Sequence, residues 1–175
     1  MYIVDSNEHV LIAGADGMPS SAITREYERV IESGDWDLAR EMLVPLIEAG
    51  IAEAIYLGSM ISLPNEGQAG FEARHVRQVR EAAQLGYVPA IYTFGMFHLF
   101  GDGLPCDKAV AAHYFKIASD AGYPAAQYEY GLALLHGIGA TEDRVEAMRL
   151  IRLSAEAGDE TAQYFLEVNR DDYPA

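Results

Sequence analysis

AIYTFGMFHLFGDGLPCDKAVAAHYFKIASDAGYPA occupies residues 90–125, and its plan recurs at residues 126–161. Ala90-Ile91-Tyr92 returns as Ala126-Gln127-Tyr128, with Ala54-Ile55-Tyr56 before it and Ala162-Gln163-Tyr164 after it, always 36 residues apart. Gly50, Gly86, Gly122 and Gly158 keep the same period, as do Gly101/Gly103 and Gly137/Gly139, with Gly67 one repeat earlier. A fixed period of this length marks a stack of supersecondary units, each burying its apolar face on its neighbour.

Each unit reads as two antiparallel helices. In the quoted stretch Ile91, Phe94, Phe97 and Leu99 recur at helical spacing over residues 90–100. Gly101 and Gly103 stop that helix, because glycine accepts the left-handed conformation at a helix C-terminus. Asp107 is the expected N-cap of a second helix that ends at Gly122, and Asp143 is its counterpart one unit later. Small residues at Ala90, Gly95, Ala111, Ala118 and Ser119 recur at Ala126, Gly131, Ala147, Ser154 and Ala155. They predict close helix approach, with each unit nesting on the one before.

Working outward, the spacing predicts a single solenoid over residues 19–168. Residues 19–53 form a capping helix pair, whose first helix starts at Pro19-Ser20-Ser21 and whose second ends at Gly50. Residues 54–89 form a degenerate repeat: Ser59 replaces the mid-helix glycine, and Phe71 stands in the slot of Asp107 and Asp143. Its second helix is expected over residues 72–85. Residues 90–125 and 126–161 are regular repeats, and 162–168 is the capping segment, within a lone helix expected from Glu160 to Val168. Residues 169–175 are expected to fray. Residues 1–18 carry two β-prone runs, Tyr2-Ile3-Val4 and Val10-Leu11-Ile12, and predict an extended or hairpin arm.

Composition excludes several function classes. The 175 residues hold 27 acids against 12 Lys and Arg, a formal net charge of −15. Nucleic-acid binding needs a basic footprint, and anionic membranes repel such a surface. Residues 1–50 carry −7, residues 51–125 carry −2 and residues 126–175 carry −6. Arg74, Arg77 and Arg80 share one helix face in the middle segment and read as a solvated strip. A single cysteine, Cys106, precludes an intrachain disulfide and fits a reducing compartment. With neither a signal-peptide pattern nor a membrane-length apolar run, the expectation is a cytoplasmic protein.

These units resemble the Sel1-like repeat, a relative of the tetratricopeptide repeat. The resemblance rests on Ala90, Tyr92, Phe94-Gly95, Gly101, Gly103, Asp107, Ala111, Ala118-Ser119 and Gly122, and on their partners from Ala126 to Gly158. It implies an all-α, right-handed α-solenoid of antiparallel helix pairs and a role in protein–protein binding, usually through a concave face lined by first helices. Bacterial members of that family include signalling adaptors, secretion and envelope factors, and immunity proteins that neutralise toxins.

Within that frame the residues that vary between units are where a partner would be read. Candidate partner-binding residues are Met60, Leu63, Tyr92, Thr93, Met96, Phe100, Tyr128, Glu129, Leu132 and His136. The tyrosine ladder itself has two readings, a recognition strip and a packing position, and fixed repeat spacing favours packing. The five histidines have no metal-ligand spacing, and Cys106 with His98 or His113 lacks an orienting third group. The expectation is therefore a non-enzymatic module without cofactor or metal. Its partner is a protein, and a basic one such as a cognate toxin suits the acidic surface. A signalling or assembly adaptor is the alternative, and an enzyme or metal-binding protein is the most distant one. The oligomeric state is left open.

Overall fold

The computed structural model describes residues 12–13, 19–170 and 172–173. Two short strands, β1 (Ile12–Ala13) and β2 (Pro19–Ser20), precede nine helices among these residues: α1 (Ala22–Glu32), α2 (Trp36–Glu48), α3 (Ala52–Ser59), α4 (Gly67–Gln84), α5 (Val88–Phe100), α6 (Lys108–Asp120), α7 (Pro124–His136), α8 (Arg144–Glu156) and α9 (Glu160–Val168). Each helix packs chiefly on its neighbours in sequence. Buried side chains accordingly fall into a series of clusters along the stack, from Tyr27 and Leu43 at one end to Ile151 and Ala162 at the other. This is an α-solenoid.

Two kinds of joint build it. Where a second helix hands over to the next first helix, Gly50, Gly86, Gly122 and Gly158 adopt positive φ, from 74° to 98°. The next residue then donates its backbone N–H back into the finished helix: Tyr87 to the Ala82 carbonyl and Tyr123 to the Ala118 carbonyl, each at 3.0 Å. That is the Schellman closure, and it lets the following helix start without a side-chain cap. Where a first helix hands over to a second, Gly101 and Gly137 take the left-handed cap. Asp107 then accepts from the N–H groups of Ala109 and Val110, and Asp143 accepts from that of Glu146, all at 3.0 Å.

The second glycine of each Gly-x-Gly has a different task. A Cβ on Gly139 would stand 2.0 Å from the carbonyl oxygen of Lys108, and one on Gly103 would stand 2.7 Å from Cγ2 of Val76. The turn of each unit therefore rests directly on the second helix of the unit before. Gly95 and Gly131 act within a unit instead: a Cβ there would meet Phe115 at 2.8 Å or Ile151 at 2.7 Å, the side chains of the same pair. The expectation that this column nests one unit on the next is corrected to that extent.

The degenerate repeat departs most from expectation. With Phe71 in the capping slot, α4 has no side-chain cap and runs back to Gly67, five residues before the expected start. Arg74 does not belong to a solvated strip. It is 7% exposed, and its guanidinium donates to the carbonyls of Gly58 (3.1 Å) and Ile61 (2.6 Å). Arg77 is exposed, and Arg80 lies over the Phe94 ring at 5.5 Å. Ser59, fully buried, donates to the Tyr56 carbonyl at 2.6 Å and faces Nδ1 of His75 at 3.0 Å.

At the N-terminal end, Pro19–Ser20 does not begin a helix. It pairs antiparallel with Ile12–Ala13, and Ser21 caps α1 by accepting from Ile23 and Thr24. The expected strand Tyr2–Val4 lies outside the described residues. The hydroxyls of Ser21 and Thr24 also donate to Glu53, tying the capping pair to α3. At the other end, Tyr173 folds back where fraying was expected: its N–H donates to the Asn169 carbonyl, and its ring stacks on Phe165 with centroids 6.1 Å apart.

Candidate partner-binding site

Helices α3, α5 and α7 carry the ten candidate residues or lead directly into them. The structure divides these residues into three settings. Tyr92 and Tyr128 belong to the ladder, which is largely a packing device, and Thr93 is tied to its Tyr56 rung. Tyr56 meets Tyr87 at a centroid distance of 5.3 Å, Tyr92 meets Tyr123 at 5.2 Å, and Tyr128 meets Phe165 at 6.1 Å. The Tyr56 hydroxyl lies 3.0 Å from Oγ1 of Thr93, one unit on, and Thr93 donates in turn to the Pro89 carbonyl. The last rung, Tyr164, is 68% exposed.

Glu129 occupies the slot of Thr93 one unit later, so a carboxylate replaces a hydroxyl beside the next tyrosine. Burial pushes its carboxyl above the usual carboxylate range, and the charge of Asp159 adds to the rise. Burial likewise raises the Tyr92 phenol well above its ordinary value, with Glu129 and Asp159 contributing. Tyr128 is raised for the same reasons. Asp159 caps α9 by accepting from the Ala162 N–H at 2.8 Å.

Glu129, Leu132 and His136 come together with Leu99, Phe115 and Ile138 around a groove of about 200 Å³ between α5, α6 and α7. Their i, i+3, i+7 spacing puts them on one face of α7. Lys108 lines the same groove. Leu63 belongs elsewhere, in a second cleft of about 190 Å³ with Arg40, Val44 and Ile47. Met60, Leu63 and Phe100 are 42%, 42% and 65% exposed. Met96 is half-buried.

The groove walls Leu99, Phe115 and Ile138, and the role of Asp159, were not singled out in the sequence. For Asp159 a signal existed: it continues the 36-residue series Tyr87, Tyr123. For the walls there was none, since groove and core positions share the same apolar periodicity.

Among the described residues no three His, Cys, Asp or Glu side chains gather as a metal site. Cys106 is exposed, and its thiol donates to the Leu99 carbonyl at 3.2 Å. His98 stacks on Tyr114 and His113 meets the edge of the same ring.

Residues 88–123 and 124–159 match the Sel1 repeat. The chain carries two Sel1 repeats. Their bounds coincide with α5–α6 and α7–α8, so Gly101, Gly103, Gly122, Gly137, Gly139 and Gly158 fall within them. A Sel1 repeat protein from Oxalobacter formigenes superposes with a TM-score of 0.65 at 29% identity, covering 71% of this chain and 94% of that one. The protective antigen c5321 of uropathogenic Escherichia coli, which displays an SLR fold, gives 0.65 at 27% identity over 76% of this chain. The match spans 28% of that longer antigen. Cysteine-rich protein B of Helicobacter pylori shares the fold, with a TM-score of 0.55 at 16% identity over 83% of this chain and 98% of that one. No curated protein matches the sequence. Sel1 repeats generally serve as scaffolds for protein–protein interaction. No helix among the described residues is long and apolar enough to cross a membrane.

Proposed function

We propose that this Sel1-repeat protein is a non-enzymatic, cytoplasmic binding module that holds a basic protein partner against the face formed by its first helices. The observation that carries the reading is the set of side chains left uncommitted by the repeat frame: Met60, Leu63 and Phe100 are exposed, while Leu132, Glu129 and His136 line an open groove. Met96 belongs to the same set, whereas Tyr92, Thr93 and Tyr128 are largely taken up by packing. Frame glycines and caps hold this surface rigid, which lowers the ordering cost of binding. A net charge of −15 favours a basic partner and speeds its capture. In its most concrete form the module is an immunity-type protein covering the basic surface of a toxin.

The second reading is an adaptor joining two proteins. Its support is the pair of clefts on different units, one between α2, α3 and α4 and the other between α5, α6 and α7.

Affinity capture from native lysate tests both. The wild-type chain is compared with a Met96→Glu/Leu132→Glu variant, and bound proteins are identified by mass spectrometry. One stoichiometric basic partner lost in the variant is the expected result. Two partners, each lost on mutation of a different cleft, would favour the adaptor. Equal recovery from both chains would remove the first-helix face from consideration.

A further inference from the structure

The groove between α5, α6 and α7 is electrically lopsided. Glu129 stands at one end of the α7 face. His136 stands two turns away, about 10 Å along the axis. Lys108 lies with His136, because its carbonyl abuts Gly139, three residues beyond that histidine. Between the ends the walls are apolar, formed by Phe115, Leu99 and Leu132.

Glu129 is also a half-buried carboxylate without a cationic partner among the described residues. The salt bridges of the described residues all lie elsewhere, and no hydrogen bond from a described residue to Glu129 is present. Its charged neighbour is another carboxylate, Asp159. A purely apolar guest would seal Glu129 from water with no partner, and burying an unpaired charge is strongly unfavourable. A guest cation would satisfy it and relieve its repulsion with Asp159.

Resting on the protein-binding reading above, we propose that this groove receives one arginine or lysine side chain of the partner. The aliphatic stem lies against Phe115 and Leu132, and the cationic head meets the Glu129 carboxylate. Long basic side chains suit such a channel because their stems are apolar and only the tip is charged. The cation of Lys108 at the other end sets direction: it repels a second cation there and favours a carbonyl or carboxylate of the partner.

The test is an NMR titration of the isotope-labelled full chain with acetyl-Leu-Arg-Leu-amide at millimolar concentrations. The norleucine analogue, in which arginine is replaced, serves as the uncharged comparison. The expected result is saturable movement of the Leu132, Ala133 and His136 amide signals with the arginine peptide and not with the analogue. Glu129→Gln should raise the dissociation constant about tenfold or more, as loss of a desolvated charge partner does. Glu142→Gln, which removes an exposed acid outside the groove, should change it less than about twofold. Absence of movement, equal binding of the analogue, or equal losses in both variants would each overturn the assignment. The broader reading is judged separately by lysate capture, which does not depend on this peptide.

Discussion

The guanidinium of Arg74 grips the carboxylate of Glu66 at two points: Nε donates to Oε1 at 2.6 Å and Nη2 to Oε2 at 3.0 Å. Nη1 donates to Oε1 of Gln78 at 2.7 Å, and the remaining bonds go to the carbonyls of Gly58 and Ile61. One side chain thus organises the irregular turn between α3 and α4, which lacks the Gly-x-Gly of its successors. Arg74→Ala should destabilise the protein by about 3 kcal/mol, because buried carbonyls lose their donor. Arg74→Lys should recover little, since an ammonium cannot reproduce the planar fork. Urea denaturation of the three proteins checks both statements. Arg74 holds the Glu66 carboxyl below its ordinary range. The stability from this pair is therefore present above the unfolded carboxylate value and lost as pH falls through the lower folded one. Acid titration of Arg74→Ala should show a correspondingly weaker loss.

Two glycines separate backbone strain from collision. Gly158 has a φ of 98° with open space around its missing Cβ, whereas Gly139 has a φ of 73° and the Lys108 carbonyl 2.0 Å away. Gly158→Ala should cost about 1–2 kcal/mol for the left-handed conformation alone. Gly139→Ala should cost about 3 kcal/mol or more, since the overpacking penalty adds to it. Thermal unfolding of the two variants gives the difference.

Ser154 joins one helix pair from inside. Its hydroxyl, fully buried, donates to the Pro124 carbonyl at 2.7 Å, while the preceding unit has Ala118 in that slot. Ser154→Ala should lower stability by about 1 kcal/mol. That corresponds to a fall in Tm of about 2–4 °C for a chain of this size.

Glu129→Gln should raise the melting temperature at neutral pH. Burial, and after it the charge of Asp159, disfavours the ionised carboxyl in the folded state. Because the folded value lies above the unfolded one, the folded protein binds the extra proton in that window. Wild-type stability at this site therefore increases as pH falls through it. The advantage of the variant should shrink on acidification, and melting curves recorded from pH 7 down to pH 4 would reveal the slope. A difference between the two proteins that does not vary with pH would mean Glu129 is solvated.

The parts of the fold that were legible in the sequence are those whose physics is local. A left-handed glycine or an aspartate cap declares itself by residue type and position. Gly101, Gly137, Asp107 and Asp143 follow from that. What escaped depends on contacts between distant segments. Arg74 reads as solvent-facing until the carbonyls of Gly58 and Ile61, 16 and 13 residues away, converge on it. The early start of α4 follows from a missing cap, which no pattern in the helix itself announces. Among the candidate site residues, Glu129, Leu132 and His136 share a groove. Tyr92, Thr93 and Tyr128 went largely to packing, as the fixed spacing of the ladder favoured.

The contact of Gly139 on the Lys108 carbonyl joins one main chain to another. Such a seam carries no information about the side chains displayed on the first helices. Residues at Glu129, or at Met96 and Leu132, are thereby released from holding that seam. New specificity can be written into them one unit at a time, and a duplicated 36-residue cassette would lengthen the reading surface without renegotiating its joints.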